Sequence, residues 1–151
     1  MNLGTYRFSD LCSVIDHVHD LFAQWERTVV QSEADVQALH RVKLAAHEWL
    51  ANLVQHATFD QRVPEISFAI HLNEDRIDCT IEDNSDGFDL ESQLLERSTS
   101  LEPYPERGMG LLMLNACTDA LTYQSVDGNR NRLTFTITAN KDPWLDIPFH
   151  I

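Results

Sequence analysis

The hydrophobic repeat of this chain changes period once, near residue 60, and that single change narrows the folds open to it. Before it, Leu39, Val42, Ala46, Leu50, Leu53 and Ala57 trace one apolar stripe at helical spacing to about residue 58. Ser32 and Asp35 have the spacing of a capping box at its start, with Asp in place of the usual Glu or Gln. Beyond it, Ile66, Phe68, Ile70 and Leu72 alternate with mostly polar neighbours, and Ile77, Cys79 and Ile81 do the same. Asn73 to Arg76 between these two runs reads as a hairpin turn. One long helix delivered into paired strands must bury its stripe against their apolar face.

The flanking segments extend this pattern. Tyr6 and Phe8 mark a short edge strand, Ser9 or Asp10 can cap the helix that follows, and Leu11, Val14, Val18, Leu21 and Trp25 repeat at helical spacing. From Asn84 to Arg107 the chain is weakly apolar, holds Pro103 and Pro105, and keeps no period; a loop of that length in a compact domain is usually functional. A helix restarts at Gly108 or Met109 with Leu111, Leu112, Leu114 and Ala116. Leu121 and Tyr123 begin a strand, Asp127-Gly128-Asn129 turns it, and Leu133, Phe135 and Ile137 alternate with threonines in the last strand. The order predicts an α+β, two-layer sandwich: a mainly antiparallel mixed sheet with helices on one face. With 151 residues, 43% hydrophobic, and no internal repeat or linker, residues 1–151 are expected to form one domain, with Pro143 to Ile151 packed along it as a tail.

Charge and composition remove several function classes. A formal charge of −13 repels phosphate backbones and the Lys and Arg residues form no basic stripe, so nucleic-acid binding is rejected. No apolar run approaches ~18 residues and the first residues lack a signal-peptide pattern, so neither membrane insertion nor export is expected. Cys12, Cys79 and Cys117 form no C-x-x-C pair and are expected to be three buried thiols in a reducing cytoplasm. His47-Glu48 begins like a zinc-protease motif, but Ala51 stands where the second ligand is required. His17 and His19 read as an exposed pair, and Trp25, Trp49 and Trp144 as core or interface residues.

Three segments can carry chemistry. Glu48, Asn52 and His56 recur every fourth residue on the long helix, beside its apolar stripe. A carboxylate one turn from a carboxamide can polarise a hydroxyl while the amide oxygen ligates a hard cation such as Mg²⁺; a solvated helix face explains the row about as well. Glu82-Asp83-Asn84-Ser85-Asp86-Gly87-Phe88 follows a strand, where an aspartate can accept from an exocyclic amine and a glycine permits close backbone approach; alone it is an ordinary turn. Glu106-Arg107-Gly108-Met109-Gly110-Leu111 opens a helix whose free N–H groups can face an anion, although no Gly-Lys-Ser/Thr of a P-loop follows.

Together and in this order, E-x-x-x-N-x-x-x-H-A, D-N-S-D-G-F and R-G-M-G-L resemble the GHKL (Bergerat-fold) ATPase superfamily, and more narrowly its small anti-sigma factor serine/threonine kinases, over residues 5 to 140. The resemblance implies ATP and Mg²⁺ as cofactors, with Glu48 as general base and Asn52 as metal ligand. It implies Asp83 as the reader of the adenine amine with Gly87 beside it, and an ATP lid over residues 88–107. It further implies Arg107 near the γ-phosphate, and phosphate contacts along Gly108, Met109, Gly110 and Leu111. His56 falls in the helix motif, and Thr134, ahead of Thr136, is the candidate for a late adenine-pocket threonine. A STAS-type anti-anti-sigma protein as substrate, a sigma factor as second partner and a homodimer are likewise implied. The alternatives are a non-catalytic ATP-binding module that sequesters a partner and a stand-alone histidine kinase-like domain. Ser85 departs from the family pattern, holding the place of its first glycine; since a serine adopts positive φ only at a cost, a changed loop or weaker nucleotide binding is expected.

Overall fold

The computed structural model describes residues 2–28, 33–73, 75–88 and 109–138. The elements run β1 (Asn2–Phe8), α1 (Val14–Thr28), α2 (Glu33–His56), β2 (Ile66–Leu72), β3 (Arg76–Asp83), α3 (Met109–Cys117), β4 (Ala120–Asp127) and β5 (Arg130–Thr138). The five strands form one sheet in the order β1-β2-β3-β5-β4, and each of these neighbouring pairs is antiparallel. This is the α+β architecture that the sequence patterning predicts.

Strand periodicity divides the sheet into two chemically different faces. Ile66, Phe68 and Ile70 of β2, Ile77, Cys79 and Ile81 of β3, and Leu133, Phe135 and Ile137 of β5 are buried on the inner face. The intervening residues make polar cross-strand contacts on the outer face: Arg132 Nε donates to Glu82 Oε1 at 2.7 Å, and Thr136 Oγ1 to Asp78 Oδ1 at 2.8 Å. Gly128, at φ +56°, opens the two-residue loop between β4 and β5.

Both long helices pack on the inner face. In α1, Val14, Val18, Phe22 and Trp25 are buried at intervals of three or four residues, with Phe22 edge-on to Phe68 and Trp25 stacked on it at 6.3 Å. In α2, Leu39, Val42, Ala46, Leu50 and Leu53 are buried as their stripe predicts, and α3 lies along this helix. Each fully buried Leu or Phe of this layer stabilises the fold by about 1.5–3 kcal/mol. Asp10 closes the entry to α1: its side chain accepts from Cys12 N at 3.0 Å and from the Ser13 hydroxyl at 3.1 Å.

Two expectations require correction. Cys79 and Cys117 are buried, but Cys12 is exposed, because it sits in the turn ahead of α1. His19 is not a solvated member of an exposed pair: its Nε2 lies 3.0 Å from His47 Nδ1 of α2, and burial first, then His47 and Lys43, push its pKa down against Asp16 and Asp20. His17 is exposed and stacks on Phe8. Ser32, Trp144 and the tail 141–151 lie outside the described residues. Among the described residues no helix is long and apolar enough to cross a membrane, and no group of three or more His, Cys, Asp or Glu is arranged to hold a metal ion.

Candidate functional site

The site forms where the last turns of α2 meet the inner end of β3. Helical spacing places Glu48 and Asn52 one turn apart on α2, both half-buried, whereas His56, the final helical residue, is exposed. The Asn52 carboxamide Nδ2 is buried and has no partner among the described residues. Trp49, between them in sequence, is fully buried, its ring 5.1 Å from Tyr123 and 5.8 Å from Phe88. The Tyr123 hydroxyl accepts from Phe88 N at 3.2 Å, and burial, followed by the charge of Asp83, pushes its pKa up to about 12. The helix turn bearing Glu48 and Asn52 is thereby anchored to the loop that follows Asp83.

Asp83 ends β3 on the inner face with 2% exposure. Its Oδ1 accepts from Ser85 N at 2.9 Å, from the Ser85 hydroxyl, and from Asn131 Nδ2 at 3.3 Å. Its Oδ2 is buried and accepts from no donor among the described residues. A buried carboxylate oxygen without a donor costs about 1–3 kcal/mol or more, so a ligand that supplies one gains correspondingly. Gly87 adopts φ +87°, which favours glycine, and a Cβ there would lie 3.0 Å from Asn131 Oδ1, so that side chain would have to give way. Ser85, in the place of the family's first glycine, does not have positive φ, so the loop meets the serine without that backbone cost.

The Asp83 loop is held from outside by the α2–β2 connection. Asp86 N donates to Thr58 O, Arg62 Nε to Asn84 O at 2.9 Å, Glu65 N to Asn84 Oδ1 at 2.8 Å, and Asn84 Nδ2 to Val63 O at 2.8 Å. Arg62 also pairs with the Asp86 carboxylate, to which Thr58 donates at 2.9 Å. Hydrogen bonds from Arg62 first and Thr58 second hold the Asp86 carboxyl below its usual range. A carboxyl lowered in the folded state contributes stability above its unfolded pKa and loses it as pH falls through the folded value. Arg62→Ala is expected to move the Asp86 midpoint up toward the ordinary carboxylate range, read by carbon NMR of its carboxyl; an unmoved midpoint would show that the pair does not hold the loop.

Of the residues anticipated from the sequence, the structure brings Asp83 and Gly87 into one loop and sets Glu48 and Asn52 on the helix tied to it. Thr134 is placed elsewhere. It pairs with Thr80 in a register that puts Asn131, Leu133 and Phe135 on the inner face, so Thr134 projects from the opposite face of the sheet to Asp83. The strand position opposite Asp83 belongs to Asn131, 7% exposed, which the sequence reading passed over. Counting back by two from Leu133 would have found it. Met109, Gly110 and Leu111 open α3 as predicted, while Arg107 and Gly108 lie outside the described residues, as does the lid beyond Phe88. A cleft of about 260 Å³ at this end of the sheet shares Asp83 as a wall, and in it Arg130 lies 3.4 Å from Glu65 and 3.5 Å from Glu82.

The chain belongs to the histidine kinase-like ATPase domain family, whose sequence profile matches residues 11–137. It is similar to the serine-protein kinase RsbW of Bacillus cereus (strain AH187), 34% identical over 92 residues that cover 58% of this chain and 57% of that protein. It is also similar to the RsbW proteins of Bacillus velezensis, 29% identical over 92 residues covering 58% of each, and of Bacillus anthracis (strain CDC 684), 33% identical over 92 residues covering 58% and 57%. The chain thus spans a little over half the length of the curated relatives it matches.

The residues present fit ATP and Mg²⁺. The Asp83 oxygen without a donor suits an exocyclic amine, and the Asn52 carboxamide, on the same helix as Glu48, carries an oxygen of the hard type that Mg²⁺ takes.

Proposed function

We propose that this protein is a Mg·ATP-dependent serine/threonine kinase of the anti-sigma type, phosphorylating a STAS-type anti-anti-sigma partner in bacterial partner switching. The observation that carries the reading is the buried Asp83 oxygen without a donor, beside Gly87, in a chain of this family. Similarity to RsbW serine-protein kinases supports the choice of reaction. A cytoplasmic homodimer that also holds a sigma factor belongs to the same proposal.

In this mechanism Asp83 accepts the adenine amine and orients the nucleotide. Glu48 takes the proton from the substrate hydroxyl as that oxygen bonds to the γ-phosphorus and the bond to the β-phosphate oxygen breaks, releasing ADP. Mg²⁺, when bound by Asn52 and the phosphates, supplies positive charge to offset that on the transferring group. The helix start at Met109, Gly110 and Leu111 would contact the phosphates, and roles for His56, for Arg107 and Gly108, and for residues 88–107 as a lid belong to the same proposal by family resemblance. The non-catalytic alternative rests on Ser85 in place of the first glycine and on the acidic charge of the chain, and similarity to serine-protein kinases favours the kinase reading over it.

Calorimetry of ATP and ADP with and without Mg²⁺ tests the reading. The wild type is expected to bind ATP more tightly with Mg²⁺, and Asn52→Ala to lose about 10-fold or more of that gain. Binding that ignores both Mg²⁺ and the substitution would remove Asn52 as the metal ligand; no binding at millimolar nucleotide would remove the nucleotide site.

A further inference from the structure

Asp83 is held by a network in which two residues play parts that the aspartate alone does not explain. Three donors converge on its Oδ1: the backbone N–H and the hydroxyl of Ser85, and the Nδ2 of Asn131 at 3.3 Å. The same hydroxyl accepts from Gly87 N at 3.1 Å, and the same Asn131 amide donates to Ser85 O at 2.9 Å. A glycine at position 85 would supply the backbone donor only. Here the hydroxyl adds a second donor and ties Asp83 to Gly87, while Asn131 ties both to β5. All three side chains are nearly inaccessible, at 2% for Asp83 and Ser85 and 7% for Asn131.

The final torsion of an aspartate is broad and soft, so an unrestrained carboxylate samples many planes. Rotation of Asp83 about that bond breaks three hydrogen bonds at once. Its plane is fixed, and Oδ2 is left buried with no donor among the described residues.

We propose that Ser85 and Asn131 are positioning residues that hold Asp83 Oδ2 toward the 6-amino group of a purine nucleotide, so that the discrimination of 6-amino from 6-oxo purines depends on them as well as on Asp83. This rests on the nucleotide-site reading above. A 6-oxo purine places a carbonyl oxygen against Oδ2, two acceptors with no proton between them, and leaves the buried oxygen unsatisfied. A restrained carboxylate cannot turn away from that contact; a mobile one can.

The test compares binding of ATP and inosine triphosphate, which differ at the 6-position of the base and in the proton that the 6-oxo base carries on N1, to the intact chain by calorimetry, with melting curves to verify folding. The wild type is expected to favour ATP by about 10- to 100-fold, and Asp83→Asn to remove most of that preference. Ser85→Ala and Asn131→Ala are each expected to weaken ATP by about 3- to 10-fold while leaving inosine triphosphate unchanged, compressing the ratio. If both nucleotides weaken in step, the two residues merely support the loop and the proposal is overturned. If Asp83→Asn removes the preference while Ser85→Ala and Asn131→Ala leave it intact, the Asp83 reading stands and the proposal falls. A wild type without preference overturns both. Should Asn131→Ala fail to fold, Ser85→Ala, which removes one oxygen with its bonds to Asp83 Oδ1 and Gly87 N and leaves the Ser85 N–H in place, decides the question alone.

Discussion

Glu48→Ala is expected to slow phosphoryl transfer to a STAS-domain substrate by about 100- to 10,000-fold, the usual contribution of a positioned general base. ATP affinity is expected to stay within about twofold of the wild type, because the side chain acts on the hydroxyl proton and not on the nucleotide. The separation follows from the helix: Asn52, one turn on, keeps its own backbone and its own contacts when Glu48 is truncated. Single-turnover phosphorylation with labelled ATP, beside calorimetry on the same preparations, reads both quantities. Transfer at the wild-type rate would dismiss Glu48 as the base, and a parallel collapse of ATP binding would show that it supports the site and does not perform the chemistry.

Trp49→Ala is expected to give the largest loss of stability. The side chain is fully buried, and its ring contacts Tyr123 of β4 and Phe88 at the end of the Asp83 loop. Truncating a buried Trp costs about 3–5 kcal/mol. At about 2–4 °C per kcal/mol for a chain of this size, the melting temperature should fall by about 6–20 °C. Trp49→Phe provides the contrast. It keeps an aromatic ring and removes an indole N–H that has no acceptor among the described residues, so its loss should be less than half as large. Equal losses for the two variants would mean that the N–H has a partner in solution. A melting temperature within about 2 °C of the wild type for Trp49→Ala would contradict the packing described here.

Much of this fold is legible in the sequence because its core residues obey a period. The stripe from Leu39 to Leu53 and the alternation from Ile66 to Ile81 specify both element type and inward face: the residues they mark are buried, Leu72 in part, and Ala38, Ala45 and Trp49 join them from α2. β1 was only half legible: its alternation shows at Tyr6 and Phe8, whereas Gly4, at the irregular register near its start, hides the residues before. The helix row and the Asp83 loop were readable as motifs. Asn131 was not, because an asparagine in Asn-Arg-Asn-Arg looks like turn chemistry until strand register pairs it with Asp83. Thr134 attracted attention by residue type, and the parity set by Leu133 and Phe135 turns it to the other face. The contact between His19 and His47 depends on how two helices dock, which no local pattern records.

The strand order carries a consequence for the making of the protein. β5 is the last described strand in sequence, yet it occupies the slot between β3 and β4. During synthesis at roughly 5–20 residues per second, β3 therefore emerges and pairs with β2 while its other edge stays open for the time needed to make some fifty further residues. Throughout that interval Asp83 lacks its Asn131 partner, and an unpaired strand edge is available to other nascent chains. The contact between Asp83 and Asn131 is thus completed only once β5 is made, and a chain truncated before residue 130 would keep the long helix and its Glu48 but lack that contact.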